Sequence, residues 1–128
     1  GERTEVYRLV SNSVIGAGVT ISEGAVIRDS IIMRDCVIGP GAVIDKAIVA
    51  EDTKIGAGAK VGVGEFAPST FDPKVYQFDL VTIGEHSVIP ENVSIGRNTA
   101  ISGVTAAEDY PDGLLASGDS IVKAGGTR

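Results

Sequence analysis

Residues 10–62 read VSNSV-IGAGVT-ISEGAV-IRDSI-IMRDCV-IGPGAV-IDKAI-VAEDTK-IGAGAK-VG when broken before each recurring aliphatic residue. The legs run five, six, six and then repeat, a period of 17 residues. Val10, Ile27, Ile44 and Val61 keep that spacing, as do Ile15, Ile32 and Val49, and Ile21, Ile38 and Ile55. A period held this long marks a repeat architecture, in which each unit buries its apolar side against the next. A second position also recurs. The residue four places into each six-residue leg is small (Val19, Ala25, Cys36, Ala42, Thr53, Ala59), and Ser13, Ser30 and Ala47 do the same in the short legs. Three short strands and three tight corners per period make a triangular coil, with coils stacked at about 4.8 Å. The aliphatic residue points inward and forms a ladder of Ile and Val, whose stiff branched side chains suit a pleated surface. The small residue points inward near a corner. Gly16, Gly39, Gly56 and Gly62 follow the aliphatic residue, where positive φ or close backbone approach is required.

The fold expected is therefore all-β, a parallel β-helix of hexapeptide repeats with three strands per coil. An antiparallel sandwich alternates by two with turns every 8–12 residues and does not produce this period. Handedness does not follow from periodicity, since most parallel crossovers are right-handed. Hexapeptide repeats of this kind resemble the left-handed class, and the fold is assigned to it on that ground.

The pattern stops after Val61. Residues 62–82, GVGEFAPSTFDPKVYQFDLVT, carry Phe66, Phe71, Tyr76 and Phe78, four of the six aromatic residues. They read as a loop thrown from one corner. A loop this long usually serves a purpose. Either it packs on its own prism, or it meets another domain or subunit. The repeat resumes from Ile83 through Ile89, Ile95 and Ile101, with Ser87, Val93 and Thr99 in the small position. The expected organisation is one domain over 1–128, with coils at 10–61 and 83–101, the loop insertion 62–82 and a capping tail 103–128. In the tail, Pro111-Asp112-Gly113 is a turn signal, Leu114-Leu115-Ala116 and Ser120-Ile121-Val122 are strand candidates, and fraying is expected from Lys123 onward.

Composition limits the function. Of 128 residues, 17 are Gly, about twice the usual share of roughly 7%, as a chain of many corners needs. A net charge of −6 disfavours nucleic acid and anionic membrane as partners. There is no apolar run of the roughly 18 residues a membrane span needs, and the charged start GERTEVYRLV does not read as a signal peptide. One Cys allows no internal disulfide and fits a reducing compartment such as the cytoplasm. Cys36 falls in the small position and reads as a buried space-filler, because no basic group is placed to activate it. No GxxxxGK[ST], CxxC or HExxH occurs, and a single His cannot make a three-His metal site. His86 follows Ile83-Gly84-Glu85 and reads as an exposed turn residue. The alternative is the general base of a stand-alone acyltransferase. Glu23, Asp29, Asp35, Asp45, Glu51 and Asp52 read as solvated corner charges. Arg28, Arg34, Lys46 and Lys54 read first as solvated charges, and second as parts of an anion site shared with a neighbouring domain.

Residues 29–65, DSIIMRDCVIGPGAVIDKAIVAEDTKIGAGAKVGVGE, resemble the C-terminal domain of the ADP-glucose pyrophosphorylase (glucose-1-phosphate adenylyltransferase) family. That family shows a similar DS-(I/V)-IM start, an A-I-(I/V) leg, and an IG-x-G leg running into VG-x-G. A loop with Pro and acidic residues follows, then strands similar to LVTIGEHSVIPENVSIGRNTAI at 80–101. Its closing DG…SG element is matched by Asp112-Gly113 and Ser117-Gly118. Another sugar nucleotidyltransferase with a β-helix tail is the neighbouring alternative. The resemblance implies a parent enzyme that makes ADP-glucose and pyrophosphate from ATP and glucose 1-phosphate, with Mg²⁺, in glycogen or starch synthesis. It implies that the chemistry lies in an N-terminal nucleotidyltransferase domain not contained in this sequence, so no catalytic, cofactor or metal residue is carried over. It further implies contact with that domain, a homotetrameric parent, and basic residues at an anionic effector site, for which Arg28, Arg34, Lys46 and Lys54 are the candidates. The Lys that some members place after the long loop is not matched, since Ile83-Gly84-Glu85 stands there.

Overall fold

The computed structural model describes residues 8–64, 67 and 79–123. Strands form where the aliphatic position recurs. The first coil holds β1 (Leu9–Ser11), β2 (Val14–Ile15) and β3 (Thr20–Ile21), and the second holds β4 (Val26–Arg28), β5 (Ile31–Ile32) and β6 (Val37–Ile38). The third holds β7 (Val43–Asp45), β8 (Ala47–Val49) and β9 (Lys54–Ile55). The fourth holds β10 (Lys60–Val63), β11 (Val81–Ile83) and β12 (Val88–Ile89). β13 (Ser94–Gly96) and β14 (Thr99–Ser102) follow, then two 3₁₀ turns at Ala107–Asp109 and Pro111–Gly113, then β15 (Leu114–Leu115) and β16 (Ser120–Val122).

Pairing is parallel throughout, between strands of successive coils. The first face is β1-β4-β7-β10-β13-β15, the second is β2-β5-β8-β11-β14-β16, and the third is β3-β6-β9-β12. The structure is the left-handed parallel β-helix of the hexapeptide class, of about six turns. Register is set by the ladder: Ile27 pairs with Ile44, Ile32 with Val49, and Ile38 with Ile55. Those six side chains are buried, and so are Ala25, Cys36, Ala42, Ala47, Thr53 and Ala59 of the small position. A fully buried Val or Ile contributes about 1.5–3 kcal/mol, so stability is spread along the prism axis. Hydroxyls in the small position serve the backbone. Ser30 Oγ donates to the Arg28 carbonyl at 2.7 Å and accepts from the Ala47 amide one coil on at 3.1 Å.

Gly56 shows why a bare Cα follows the inward residue. A Cβ there would lie 2.6 Å from the Glu91 nitrogen and 2.7 Å from the Pro90 carbonyl carbon, both backbone atoms of the next coil. Gly62 serves a different purpose. It has φ +89° and is the extra residue between Val61, paired with Ile95, and Val63, paired with Gly96. This glycine bulge is where the chain leaves the prism for the loop. Phe66, Phe71, Tyr76 and Phe78, and with them the two readings of the loop, lie outside the described residues. The chain returns at Asp79, and the Val81 amide then bonds to the Lys46 carbonyl at 2.9 Å.

The two ends of the prism differ. At the first coil Val10 is 40% exposed and Ile15 and Ile21 are only partly covered. At the other end, Val104 bridges to Val88, which brings Thr105 into the Ile ladder of the third face. Its hydroxyl donates to the Val88 carbonyl at 2.6 Å, so the Tyr110 phenol, 2.9 Å away, donates to Thr105. Tyr110 is buried, and burial pushes its phenol above the usual range. The strands expected around Leu115 and Ile121 form β15 and β16 and add to the stack. Lys123 is not frayed. Its amide bonds to the Ser102 carbonyl and its ammonium to Asp109 at 3.1 Å. The other carboxylate oxygen of Asp109 accepts from the Ala106 amide at 2.8 Å.

Replacing Ile38, which has no exposure, with Asp puts an unpaired charge in the ladder. The cost of several kcal/mol stands against a total of about 5–15 kcal/mol, so circular dichroism should show no cooperative melt at 25 °C. A second outcome concerns the capping tail. The Ala106 amide and Lys123 hold the Asp109 carboxyl below its ordinary value of 3.8. A lowered folded value stabilises above the unfolded value and loses that contribution as pH falls through the folded one. Asp109→Asn should therefore melt below the parent at pH 7, with the gap closing as pH is lowered from 4 toward 2 (about the range set by an ordinary Asp).

Candidate functional site

The regular corners pass through one residue of positive φ placed just before the small inward position. At the first corner, between first and second faces, these are Asn12, Asp29, Lys46, Asn98 and Gly118, whereas in the coil that carries the loop the positive φ falls at Asp79, two residues before the inward Val81. At the second corner they are Gly18, Asp35, Asp52 and His86, and at the third Gly24, Gly41, Gly58 and Asn92. Gly, Asn and Asp dominate because they enter the left-handed region at least cost. Asp29, Asp35 and Asp52 are therefore corner formers as well as surface charges. Lys46 and His86 are exceptions to the preference, and each has an acidic neighbour.

The first corner carries the densest charge. Arg28 Nη2 lies 3.7 Å from Asp45 Oδ2. Asp79 Oδ2 lies 3.6 Å from Lys46 Nζ and 3.4 Å from Arg97 Nη1. Asp79 Oδ1 and Arg97 Nε are buried with no hydrogen-bond partner among the described residues, an arrangement that costs about 1–3 kcal/mol per group where nothing else meets it. Asn98 Nδ2 donates to the Ala67 carbonyl at 3.0 Å and ties the loop to the same corner. Arg28 and Lys46, two of the four basic candidates, are thus brought to one corner. Arg97 joins them, although sequence reasoning did not single it out.

The other two candidates lie elsewhere. Arg34 is at the second corner, its Nε 2.9 Å from Glu51 Oε2. Lys54 projects from β9 on the third face and is exposed. The second corner also holds His86, with Nδ1 2.8 Å from Asp52 Oδ2 and Nε2 3.5 Å from Glu85 Oε1. Asp52 is the orienting group that the local sequence around His86 did not reveal. The pair is open to solvent, both side chains being about half exposed, and neither residue lines the groove on the second face. Cys36 has no exposure, its thiol donates to the Ala50 carbonyl at 3.1 Å, and burial pushes the thiol above its usual range. It fills space, as its position in the repeat implies.

The second face differs in kind. Its outward positions are Val14, Ile31, Ile48, Thr82, Ala100 and Ser120 in one column, and Gly16, Met33, Ala50, Gly84, Ser102 and Val122 in the next. None of these is charged. The first face shows Arg28, Asp45 and Lys60 outward, and the third shows Lys54. A groove of about 460 Å³ runs over coils three to six of the second face.

The GMPPB C-terminal domain family matches residues 5–66. Over 125 residues the chain is 66% identical to the glucose-1-phosphate adenylyltransferase of Lachnospira eligens, covering 98% of this chain and 30% of that protein. These matches support a C-terminal domain of the glucose-1-phosphate adenylyltransferase (ADP-glucose pyrophosphorylase) kind. The Thermotoga maritima relative is 58% identical over 121 residues, which is 94% of this chain and 29% of the relative. The chain thus spans about 30% of the length of these adenylyltransferases. Among solved structures, the acetyltransferase domain of PglB from Neisseria gonorrhoeae aligns with TM-score 0.46 and 19% identity over 86% of this chain and 51% of that one. That likeness is too distant to bear on activity.

If His86 is a corner residue, backbone tolerance should govern its replacement. His86→Asn should stay within about 0.5 kcal/mol of the parent in urea unfolding, whereas His86→Val, branched at a φ of +57°, should lose roughly 1–2 kcal/mol. Equal losses would contradict the assignment, and a shift of the melt by acyl-CoA would support the acyltransferase alternative.

Proposed function

We propose that the chain is the non-catalytic assembly and regulatory domain of a cytoplasmic glucose-1-phosphate adenylyltransferase, acting in glycogen or starch synthesis. The observation that carries this reading is the 66% identity over nearly the whole chain to a relative of that name. In the reaction an oxygen of the sugar phosphate attacks the α-phosphorus of ATP. ADP-glucose forms and pyrophosphate leaves. Such chemistry needs a nucleotide cradle and metal-holding carboxylates. Among the described residues no three His, Cys, Asp or Glu side chains converge on a metal site, and the corners carry no phosphate-binding glycine loop. ATP and Mg²⁺ belong, on this reading, to the remaining length of the parent.

The part left to the β-helix is to hold subunits of a homotetramer and to answer an anionic effector. The first corner supports the second role. Arg28, Lys46 and Arg97 line one corner on coils two, three and five, and the buried Arg97 Nε is a donor with no acceptor among the described residues. A sugar phosphate placed there would compete with Asp79 for both cations. Arg34 and Lys54 point from other parts of the prism and would contribute only through a neighbouring subunit.

One assay tests both statements. With ATP, Mg²⁺ and glucose 1-phosphate, the longer polypeptide should release pyrophosphate and ADP-glucose, while the 128-residue chain alone releases none. Sugar phosphate added to the longer polypeptide should change the rate, and Arg97→Ala should remove that response. Turnover by the isolated chain overturns the non-catalytic reading, and an unaltered response in Arg97→Ala overturns the effector corner.

A further inference from the structure

The first corner holds an ion pair that is poorly matched. A guanidinium and a carboxylate that fit each other meet through two parallel bonds. Asp79 and Arg97 make one contact, Oδ2 to Nη1 at 3.4 Å, and the same oxygen also serves Lys46 Nζ at 3.6 Å. The other carboxylate oxygen, Asp79 Oδ1, and a second guanidinium donor, Arg97 Nε, are buried with no partner among the described residues. One oxygen therefore answers two cations, from coils three and five, while a donor beside it goes unused. The charges do not balance either. Arg28 is paired with Asp45, which leaves the two positive charges of Lys46 and Arg97 facing the single negative charge of Asp79.

We infer that Asp79 is a built-in competitor at this corner, and that it makes the site selective for a doubly charged phosphate monoester over any singly charged anion. The inference rests on the reading of the corner as an effector site and gives that site its selectivity. Binding exchanges the Asp79 carboxylate for the ligand. A singly charged anion gains nothing by the exchange, because the charge count is unchanged. It also gives up the freedom of a separate molecule, whereas Asp79 is joined to the chain and acts at an effective concentration near millimolar. A phosphate monoester above its second pKa of about 6 carries close to two negative charges and three strong acceptor oxygens. It neutralises Lys46 and Arg97 together and offers Arg97 Nε an acceptor, neither of which Asp79 does. The competitor is also weak enough to leave. The side chains of Asp79, Arg97 and Lys46 are 24%, 35% and 46% exposed, and ion pairs open to water resist separation by less than about fivefold each.

Amide NMR shifts of Arg97 and Asn98 in the 128-residue chain read occupancy of the corner directly. At about pH 8, where a monoester is fully ionised, methyl phosphate should shift these amides to saturation. Dimethyl phosphate, with one charge, should leave them unmoved at the same concentration. Asp79→Asn removes only the charge, since Asn also accepts the φ of +62° at little cost. In that variant methyl phosphate should bind about threefold to tenfold more tightly, and dimethyl phosphate should begin to bind. An equal response of the parent chain to the two esters, or unchanged binding in Asp79→Asn, overturns the inference and leaves the effector corner standing. Shifts that survive in Arg97→Ala, or no shift by either ester in either chain, refute the corner as an anion site and the competitor with it.

Discussion

A corner amide in this prism has its acceptor in the coil before it. At the second corner the Asp35 amide bonds to the Ala17 carbonyl, Asp52 to Arg34 and His86 to Glu51, each at 2.9–3.0 Å. At the third corner Gly41 bonds to Glu23, Gly58 to Pro40 and Asn92 to Ala57. Each of these donor residues has positive φ. The same turn directs the next residue inward, where only a small side chain fits. Corner conformation, coil-to-coil bonding and the small position are thus one constraint. It explains why a break in the repeat has to be local. The loop leaves by a glycine bulge at Gly62 and returns at Asp79, which has φ +62° one residue before the place that Lys46 holds in the coil below, and from Val81 the prism resumes in register.

The aliphatic ladder is legible in the sequence because stacking makes identical environments every 17 residues, and the same period places Cys36 in the interior. The corner residues are legible in part. Asp29, Asp35 and Asp52 read as solvated charges, which they are, but each precedes a small residue just as Gly18, Gly41 and Gly58 do. Aligning Asn, Asp and Gly in that column identifies the left-handed positions. Lys46 and His86 spoil the column, and a single sequence offers no way to know that they still obey it.

The charged corner is not legible. Lys46 and Asp79 are 33 residues apart in sequence, yet the pairing of Ala47 with Val81 sets them one coil apart. The insertion breaks the 17-residue count between them, and Arg97 lies a further coil on. Periodicity finds partners only where the period survives. The Asp52–His86 contact also spans the insertion, but its 34 residues are two full periods, so the two hold the same place in their legs and the contact is missed only by looking for a partner near His86 in sequence.

A β-helix separates what folding needs from what function uses more completely than most architectures. The inward residues are fixed by packing, the corner residues by φ, and the glycines by the approach of the next coil. Outward strand residues are fixed by none of these. Where they vary freely, as Thr20, Val37, Lys54 and Val88 do on the third face, nothing about them calls for a cause beyond solubility. Where they hold one character over six coils, as on the second face, the prism's own requirements do not supply the cause. A chain this acidic, with 17 Asp and Glu against 11 Lys and Arg, has charge to place, and it places it on two faces and on the corners. The uncharged second face is therefore not a product of the prism's own packing, which is the kind of information that core periodicity cannot carry.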